Sequence, residues 1–153
     1  FYRNLEEETM YAAAHGIVLG LETMENDFMN TIEKAMYSVN RVNSPYLNVY
    51  PDIGNIYNGT DDVIEDIAKG RGHIVAAHLK ETVPGVFREV PYGQGQVDFP
   101  ASIAQLYRHG IRRYVAEFWY TGEPDWREIV KANRQFIEMQ FLQAEQLLQG
   151  RTM

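Results

Sequence analysis

The sequence contains no cysteine, no long hydrophobic run and fewer basic than acidic residues. Without cysteine, the chain cannot form a disulfide framework or a thiolate zinc site. No apolar stretch approaches the roughly 20 residues of a transmembrane helix, and no secretory signal is visible after Phe1. The net charge of −7 argues against a nucleic-acid partner, which usually requires a basic face. We therefore expect a cytoplasmic protein with no membrane and no nucleic acid among its partners.

The composition is that of one ordinary globular domain. The chain has 153 residues, of which 45% are hydrophobic and 23% charged, and this length is enough to bury a real core. The sequence starts with Phe1 inside a segment that already reads as a helix, Phe1–Gly16. We expect residues 1–153 to form a single domain whose natural N-terminal part is absent, the alternative being removal of the initiator Met or of a tag.

Short apolar runs alternate with amphipathic segments along the chain. This alternation predicts strand–helix units with parallel strands and an α/β fold. The predicted strands are Ile17–Leu21, Tyr46–Tyr50, His73–Leu79 and Tyr114–Phe118. The predicted helices after Phe1–Gly16 begin at Asn26 or Asp27, at Asp61-Asp62, at Pro100 and at Asp125.

About four strand–helix units are visible, whereas a complete (β/α)8 TIM barrel takes roughly 250 residues. The chain is therefore predicted to form about half of such a barrel. Half a barrel leaves two open edge strands and an open interior, which favour aggregation. Either a missing segment completes the barrel or two copies pack together, so a homo-oligomer is one expectation.

Four side chains, Glu22, Asp52, His78 and Glu117, stand at or just past the ends of apolar runs within the predicted strands. These runs are Ile17–Leu21, Tyr46–Tyr50, Ile74–Ala77 and Tyr114–Ala116. Functional groups of β/α barrels lie at these carboxyl ends, because the loops there build the site. For any one of them alone, a carboxylate or imidazole bound to nearby backbone is the simpler interpretation. Three carboxylates and one imidazole in equivalent positions instead indicate a site for Mn²⁺, Mg²⁺, Co²⁺ or Zn²⁺, and hence an enzyme.

The segments around these residues carry a resemblance to a known family. They are Leu21–Met24, Tyr50–Asn55, Gly72–Lys80, Pro84–Phe87, Pro91–Phe99 and Glu117–Trp119. In these segments the chain resembles the C-terminal half of the L-ribulose-5-phosphate 3-epimerase family, also called L-xylulose-5-phosphate 3-epimerase, within the xylose-isomerase-like TIM barrels. The YPDIGN and PGVF…VPYGQG segments are specific for that family, whereas the bare E…D…H…E order is common to many sugar isomerases and epimerases.

The resemblance implies a function and a set of roles. It places a divalent metal, Zn²⁺ or Mn²⁺ with Mg²⁺ or Co²⁺ as alternatives, on Glu22, Asp52, His78 and Glu117. It gives Glu22 and Glu117 the acid and base roles in inverting C3 of a ketopentose 5-phosphate through an enediolate. The chemistry agrees, because one base must remove the C3 proton and another acid must return a proton to the opposite face.

Five further residues are candidates for substrate binding. Asn55 could hydrogen-bond a sugar hydroxyl, although local turn chemistry explains it equally well. Lys80, just beyond His78, could pair with substrate or with the next residue. Gly93 and Gly95 could present backbone amides to a phosphate, although a lone Gly-x-Gly is weak evidence. Trp119 could form a pocket wall or pack in the core.

Three alternatives remain open from the sequence. One is an aldose–ketose isomerase of the hexulose-6-phosphate type, which would use a similar ligand set. Another is an inactive fragment that binds metal but lacks part of the substrate pocket. A metal-dependent endonuclease of the same barrel type is disfavoured, because such sites use more histidines than the four in this acidic chain.

Overall fold

The structure, a computed structural model, describes residues 1–150. Within that range helices and short strands alternate, as the apolar pattern predicts. The helices are α1 (Tyr2–Ala14), α2 (Ile32–Val42), α3 (Ile53–Gly59), α4 (Val63–Lys69), α5 (Phe99–Arg108) and α6 (Trp126–Leu148). The strands are β1 (Leu19–Glu22), β2 (Leu47–Tyr50), β3 (Ala77–Lys80) and β4 (Tyr114–Glu117).

The four strands run parallel and lie side by side in chain order. β1 pairs with β2, and β3 pairs with β4. The two pairs are joined by isolated bridges, Val49 with Ile74 and Asp52 with His78. Because all four strands point the same way, their carboxyl ends meet at one edge, as in part of a parallel barrel. The predicted partial α/β barrel is confirmed.

The hydrophobic core lies between the helices and one face of the sheet. Fully buried members include Ile32, Leu47, Val49, Ile53, Ile67, Leu79, Phe99 and Ile103. The two outer strands of the sheet are less well covered. Val18, just before β1, is 50% exposed, and Val115 in β4 is 47% exposed. Such half-covered apolar strands are those that further strand–helix units would bury in a complete barrel.

None of the helices among residues 1–150 combines the length and the apolar character needed to cross a membrane.

Two element boundaries differ from the sequence predictions. Helix α2 begins at Ile32, where Thr31 Oγ1 accepts a hydrogen bond from Lys34 N at 3.2 Å. Asn26 and Asp27 do not cap it, because their side chains bind groups within the preceding loop. Strand β3 begins at Ala77 and not at His73, since the backbone before Ala77 makes only an isolated bridge to β2.

Helix α3 is absent from the sequence predictions. Its seven residues include two glycines and two asparagines, which are weak helix formers. The helix is held at its start by Asp52, whose side chain accepts the Asn55 N–H. Gly54 lets α3 pack closely against β3, because a Cβ at this position would lie only 2.8 Å from the Lys80 carbonyl oxygen. Tertiary contact therefore overrides local propensity in the segment that follows Asp52.

A buried carboxylate joins α4 to the start of α2. Asp66 accepts hydrogen bonds from the backbone N–H groups of Ile32 at 2.7 Å and Glu33 at 3.2 Å. Burial raises the pKa of Asp66, and these two amides oppose that shift. The side chain thereby satisfies N–H groups that a helix start leaves without an internal partner.

Replacing Asp66 with alanine should lower the free energy of unfolding by about 3 kcal/mol, because two amides, one of them fully buried, lose their acceptor. Asp66→Asn should cost less, since its amide oxygen still accepts one bond. The exposed N-cap substitution Asp62→Ala is the matched control, with an expected loss of about 1 kcal/mol. Urea denaturation measures all three, and equal losses in the two alanine variants would contradict the buried role.

Candidate metal centre and active site

The four predicted strand-end residues converge in the structure. Glu22 ends β1 and Glu117 ends β4, while Asp52 caps α3 just past β2. His78 is the second residue of β3, so it lies inside its strand and not beyond the end. One ligand atom from each of these side chains lies within 4.8 Å of the others. The parallel register thus brings residues up to 95 positions apart into one cluster.

His78 is the centre of this cluster. Its Nδ1 atom lies 2.7 Å from Glu22 Oε1 and 3.3 Å from Glu117 Oε2. The ring of Tyr50 packs edge-on against the imidazole, with centroids 4.4 Å apart and planes at 79°. The imidazole therefore stands between the two glutamates that end the outermost strands, and an aromatic neighbour restricts its orientation.

Asp52 is held by the backbone around it. Its N–H donates to Thr23 Oγ1 at 2.9 Å, and its Oδ1 accepts the Asn55 N–H at 2.9 Å. The other oxygen, Oδ2, is buried and accepts no well-aligned hydrogen bond among residues 1–150, although Lys80 Nζ lies 3.2 Å away as an ion-pair partner. Burial raises the pKa of Asp52 to about 7, against the lowering effect of Lys80 and of the Asn55 amide. A buried carboxylate oxygen in this state is suited to a cation as its partner.

The structure places Lys80 among carboxylates. It belongs to β3, two residues after His78 on the same face, and its side chain is only 2% exposed. Its Nζ lies 3.2 Å from Asp52 Oδ2, 3.3 Å from Glu25 Oε1 and 3.6 Å from Glu117 Oε1. Because three carboxylates surround the ammonium group, Lys80 compensates part of their charge, and its role in substrate binding stays a prediction.

The residues present fit a divalent metal. Three carboxylates and one imidazole supply the oxygen and nitrogen donors that borderline and hard divalent ions accept. The buried Oδ2 of Asp52 has the Lys80 ammonium 3.2 Å away but no well-aligned hydrogen bond in the described part of the chain, so it has a lone pair left for an ion. The set does not distinguish Zn²⁺ from Mn²⁺, Mg²⁺ or Co²⁺.

Two of the predicted substrate-binding residues lie beside this cluster. Asn55 is buried, and its Nδ2 donates to the Thr23 carbonyl at 2.7 Å. Its Oδ1 has no hydrogen-bond partner among the described residues, so an acceptor is left for a hydroxyl group. Trp119 is half-buried just after β4, with its ring 5.5 Å from Lys80 Nζ. This places Trp119 at the wall of the site and not in the core.

The two predicted phosphate-binding glycines have a different environment. Glu81 is buried, and its carboxylate accepts the N–H groups of Thr82 at 3.3 Å, Gly93 at 3.0 Å and Val97 at 3.2 Å. A Cβ on Gly95 would collide with this carboxylate. The Gly-x-Gly turn therefore closes around an internal anion, which is why the sequence needs glycine there, and the Gly93 amide is already engaged.

Replacing Glu81 with alanine should loosen the loop of residues 81–98. Hydrogen exchange at the Gly93 and Val97 amides should accelerate by about tenfold or more, because each loses a charged acceptor. Glu89→Ala, an exposed glutamate in the same loop, is the control and should leave these amides unchanged. Unaltered protection in Glu81→Ala, measured by NMR, would show that other contacts hold the loop.

Four residues near the ligand cluster were not predicted from the sequence as part of the site: Thr23, Glu25, Tyr50 and Arg88. Glu25 lies between Lys80 and Arg88, with Arg88 Nε 3.0 Å from each carboxylate oxygen. Glu25 follows Glu22 by three residues in a loop, a spacing that carries no signal by itself. Tyr50 could have been found, since it ends a strand beside Asp52 and faces the same side of the sheet as Glu22.

Comparisons with known proteins agree with this geometry. A profile of the family described as "Xylose isomerase-like TIM barrel" matches residues 1–139. L-ribulose-5-phosphate 3-epimerase UlaE of Salmonella paratyphi C is 40% identical over 134 residues, which are 86% of this chain and 47% of that protein. The protein of the same name from Shigella flexneri matches to the same extent. The chain thus spans about half the length of the curated relatives it matches, and the resemblance seen in the sequence is confirmed.

Parts of solved structures superpose on this partial barrel. A structure of L-ribulose 3-epimerase superposes with a TM-score of 0.80 at 18% identity, covering 99% of this chain and 56% of that one. A D-tagatose 3-epimerase-like protein gives a TM-score of 0.74 at 20% identity, covering 90% and 53%. At such low identity these similarities establish the fold alone.

Proposed function

This chain belongs to the xylose isomerase-like TIM barrel family, and from that membership we propose that it carries the catalytic centre of a divalent-metal-dependent sugar-phosphate epimerase. The proposed reaction inverts C3 of a ketopentose 5-phosphate such as L-ribulose 5-phosphate or L-xylulose 5-phosphate. The observation that carries the proposal is the convergence of Glu22, Asp52, His78 and Glu117 within 4.8 Å. The substrate class is supported by the name of the 40% identical relatives.

The metal would be held by those four side chains. A divalent ion there would supply positive charge and Lewis acidity to the C2 and C3 oxygens of the sugar. Lys80 stays outside the ligand set and offsets part of the charge of Asp52 and Glu117. With that cation at hand, three carboxylates can gather in one site without the full cost of their mutual repulsion.

Glu22 and Glu117 are the proposed proton-transfer groups. They end strands β1 and β4, and both approach the same edge of His78. One carboxylate takes the proton from C3, whose electrons pass into the C2 carbonyl to give an enediolate. The other glutamate, acting as an acid, returns a proton to the opposite face of C3. The sugar leaves with inverted configuration, and the two glutamates have exchanged protonation states.

The remaining residues orient the sugar. Asn55 offers its unpaired Oδ1 to a hydroxyl group of the substrate. Trp119 supplies an apolar wall beside the charged centre. Neither has to move a proton, so their substitution should affect substrate binding more than chemistry.

Isotope exchange tests the reaction directly. We expect incubation of L-ribulose 5-phosphate in D2O with metal to place deuterium at C3 and none at C1. The preparations are this chain alone and a chimera in which it replaces the matched 134 residues of the Salmonella paratyphi C relative. Deuterium at C1 would instead identify an aldose–ketose isomerase, and no exchange in the chimera would refute both activities.

Several expectations from the sequence stay predictions. They are the single domain of residues 1–153 with an absent N-terminal part, the cytoplasmic location and a homo-oligomer. Sedimentation of the purified chain with and without metal measures the last of these. A chain that binds metal but exchanges no C3 proton, while the chimera does, would fit the alternative of an inactive metal-binding part.

A further inference from the structure

Tyr50, the last residue of β2, lies on the face of the sheet that carries the ligand cluster. Leu47 and Val49 of the same strand are buried in the core between the sheet and the helices. Because side chains alternate along a strand, Tyr50 points to the opposite face. In the register of β1 and β2 it lies directly across from Glu22. Tyr50 therefore stands beside a proposed ligand, inside the partial barrel.

Gly20 makes room for Tyr50 on this face. It precedes Glu22 by two residues in β1, so a side chain at this position would point to the same face as Glu22. A Cβ on Gly20 would lie 2.9 Å from Tyr50 Cβ and 3.1 Å from Val75 Cγ2. Glycine inside a strand weakens that strand, and it often marks a close approach by another group. Here the group that approaches Gly20 is the side chain of Tyr50.

The Tyr50 ring packs against the imidazole of His78. The two ring centroids are 4.4 Å apart and the planes meet at 79°, an edge-to-face arrangement that aromatic rings favour. In this orientation His78 Nδ1 lies 2.7 Å from Glu22 Oε1 and 3.3 Å from Glu117 Oε2. Rotation of the imidazole about its Cβ–Cγ bond would carry Nδ1 away from both carboxylates. The Tyr50 ring stands against the imidazole and opposes that rotation.

The other contacts of His78 hold its backbone and one ring nitrogen. A histidine that binds a metal is usually fixed by a hydrogen bond from its second ring nitrogen. Among residues 1–150, the polar side-chain contacts of His78 all involve Nδ1. Its backbone N–H donates to the Pro51 carbonyl at 2.8 Å, which holds the strand but leaves the ring free to rotate. The support that this chain gives to the ring itself is therefore the packing of Tyr50.

We propose that Tyr50, seated over Gly20, is a positioning residue that holds the His78 imidazole in the orientation that binds the metal. The inference rests on the proposed function and adds to the same centre a residue that acts through a ligand. Because the contact is made by the ring, phenylalanine should serve as well as tyrosine. Leucine fills part of the same space but has no aromatic edge or face to present to the imidazole.

Titration of the 153-residue chain with Zn²⁺ measures this role without turnover. Tyr50→Leu should weaken Zn²⁺ binding by about 10- to 100-fold, as expected when a partner of a metal ligand is lost, whereas Tyr50→Phe should stay within about threefold. Tyr11→Leu is the matched control, because the exposed Tyr11 ring lies 4.3 Å from the ring of His15, and it should change nothing. Equal affinities of the wild type and Tyr50→Leu would overturn the proposal, as would equal losses in Tyr50→Leu and Tyr50→Phe.

A second measurement distinguishes positioning from a general loss of stability. In the metal-free chain, Tyr50→Leu should shift or broaden the ¹⁵N NMR signals of the His78 imidazole, and Tyr50→Phe should leave them in place. Ile103→Val, a change in the fully buried part of α5, should lower the free energy of unfolding and leave both the imidazole signals and the Zn²⁺ affinity unchanged. A loss of Zn²⁺ affinity in Ile103→Val as large as that in Tyr50→Leu would show that stability alone controls binding and would refute the positioning role.

Gly20→Val tests the seat of Tyr50. The valine side chain would displace Tyr50, since even its Cβ would lie 2.9 Å from Tyr50 Cβ. We expect Gly20→Val to weaken Zn²⁺ binding by about tenfold in the wild type but to add little in the Tyr50→Leu background, because the effects of residues in contact are not additive. Fully additive losses in the double variant would show that valine distorts β1 and Glu22 directly, and would refute the role of Gly20.

The outcomes also separate this inference from the function on which it rests. A chimera that exchanges the C3 proton and binds Zn²⁺ equally well in the wild type and Tyr50→Leu retains the epimerase and refutes the role of Tyr50. A chimera without C3 exchange, whose Zn²⁺ affinity still falls in Tyr50→Leu and not in Tyr50→Phe, retains the positioning role and refutes the epimerase.

Discussion

Glu117→Gln and Glu22→Gln should each lower kcat for C3 epimerisation by about 10²–10⁴-fold, the usual contribution of a positioned acid or base. Glutamine keeps the size and one oxygen of glutamate but cannot accept the C3 proton. KM should change little, because the amide still contacts the sugar. In the proposed scheme the two residues act on opposite faces of the same carbon, so neither can replace the other.

Isotope exchange distinguishes two bases from one. If Glu22 and Glu117 serve opposite faces, each glutamine variant should still exchange the C3 proton of one epimer slowly, without inverting it. The epimer whose C3 proton still exchanges should differ between the two variants. Loss of exchange from both epimers in one variant, with no effect in the other, would instead indicate a single base.

The matched control is Glu138→Gln, which removes a surface glutamate paired with Arg134 on α6. It should retain wild-type kcat in the chimera. Metal content must be measured in every variant, because Glu22 and Glu117 are also proposed ligands. A wild-type rate in either Glu22→Gln or Glu117→Gln would refute the two-base scheme.

The strand ends could be predicted from the sequence because their signal is local. Glu22 and Glu117 each follow a continuous apolar run, and a parallel sheet brings the ends of such runs to one edge. Helix α3 could not be predicted, since Gly54 and Gly59 argue against a helix. That helix forms because Asp52 caps it and Gly54 packs against β3, and the second of these contacts joins residues far apart in the sequence.

The environments of the substrate-binding candidates could not be predicted from the sequence, because their contact partners lie far away along the chain. Lys80 looks like a free cation in the sequence, but alternation along β3 places it beside His78 among carboxylates from three other segments. The sequence around Gly93 suggests a backbone phosphate site. In the structure, however, the Gly93 N–H donates a hydrogen bond to Glu81, which directly follows β3. In both cases the observed partner is a carboxylate of this chain, at a position where the sequence alone suggested contact with the substrate.

Electrostatics links these observations. Asp52, Glu117 and Glu25 meet around Lys80, and Glu25 continues to Arg88. With Glu22 added, four carboxylates face two cations, which leaves an excess of two negative charges at the centre when Asp52 is ionised. A divalent ion would neutralise that excess, so removing one ligand disturbs both the geometry and the charge balance of the site.

His78→Ala should therefore reduce metal affinity by more than about 100-fold, beyond the loss typical of an outer-shell partner. All four proposed ligands come from this chain, so the 153-residue chain alone should bind one equivalent of Zn²⁺ or Mn²⁺. At a free concentration of about 100 times Kd, the ion should stabilise the wild type by about 2.7 kcal/mol. That stabilisation should vanish in His78→Ala and on addition of a chelator.

Calorimetric titration and thermal unfolding measure these effects independently of any activity. His15→Ala is the matched control, since His15 is exposed on the last turn after α1 and bonds only the Tyr11 carbonyl among described side-chain contacts. It should keep full stoichiometry and the full thermal shift. Full occupancy in His78→Ala would remove the imidazole from the ligand set and leave three carboxylates, a purely oxygen site that favours Mg²⁺ or Mn²⁺ over Zn²⁺.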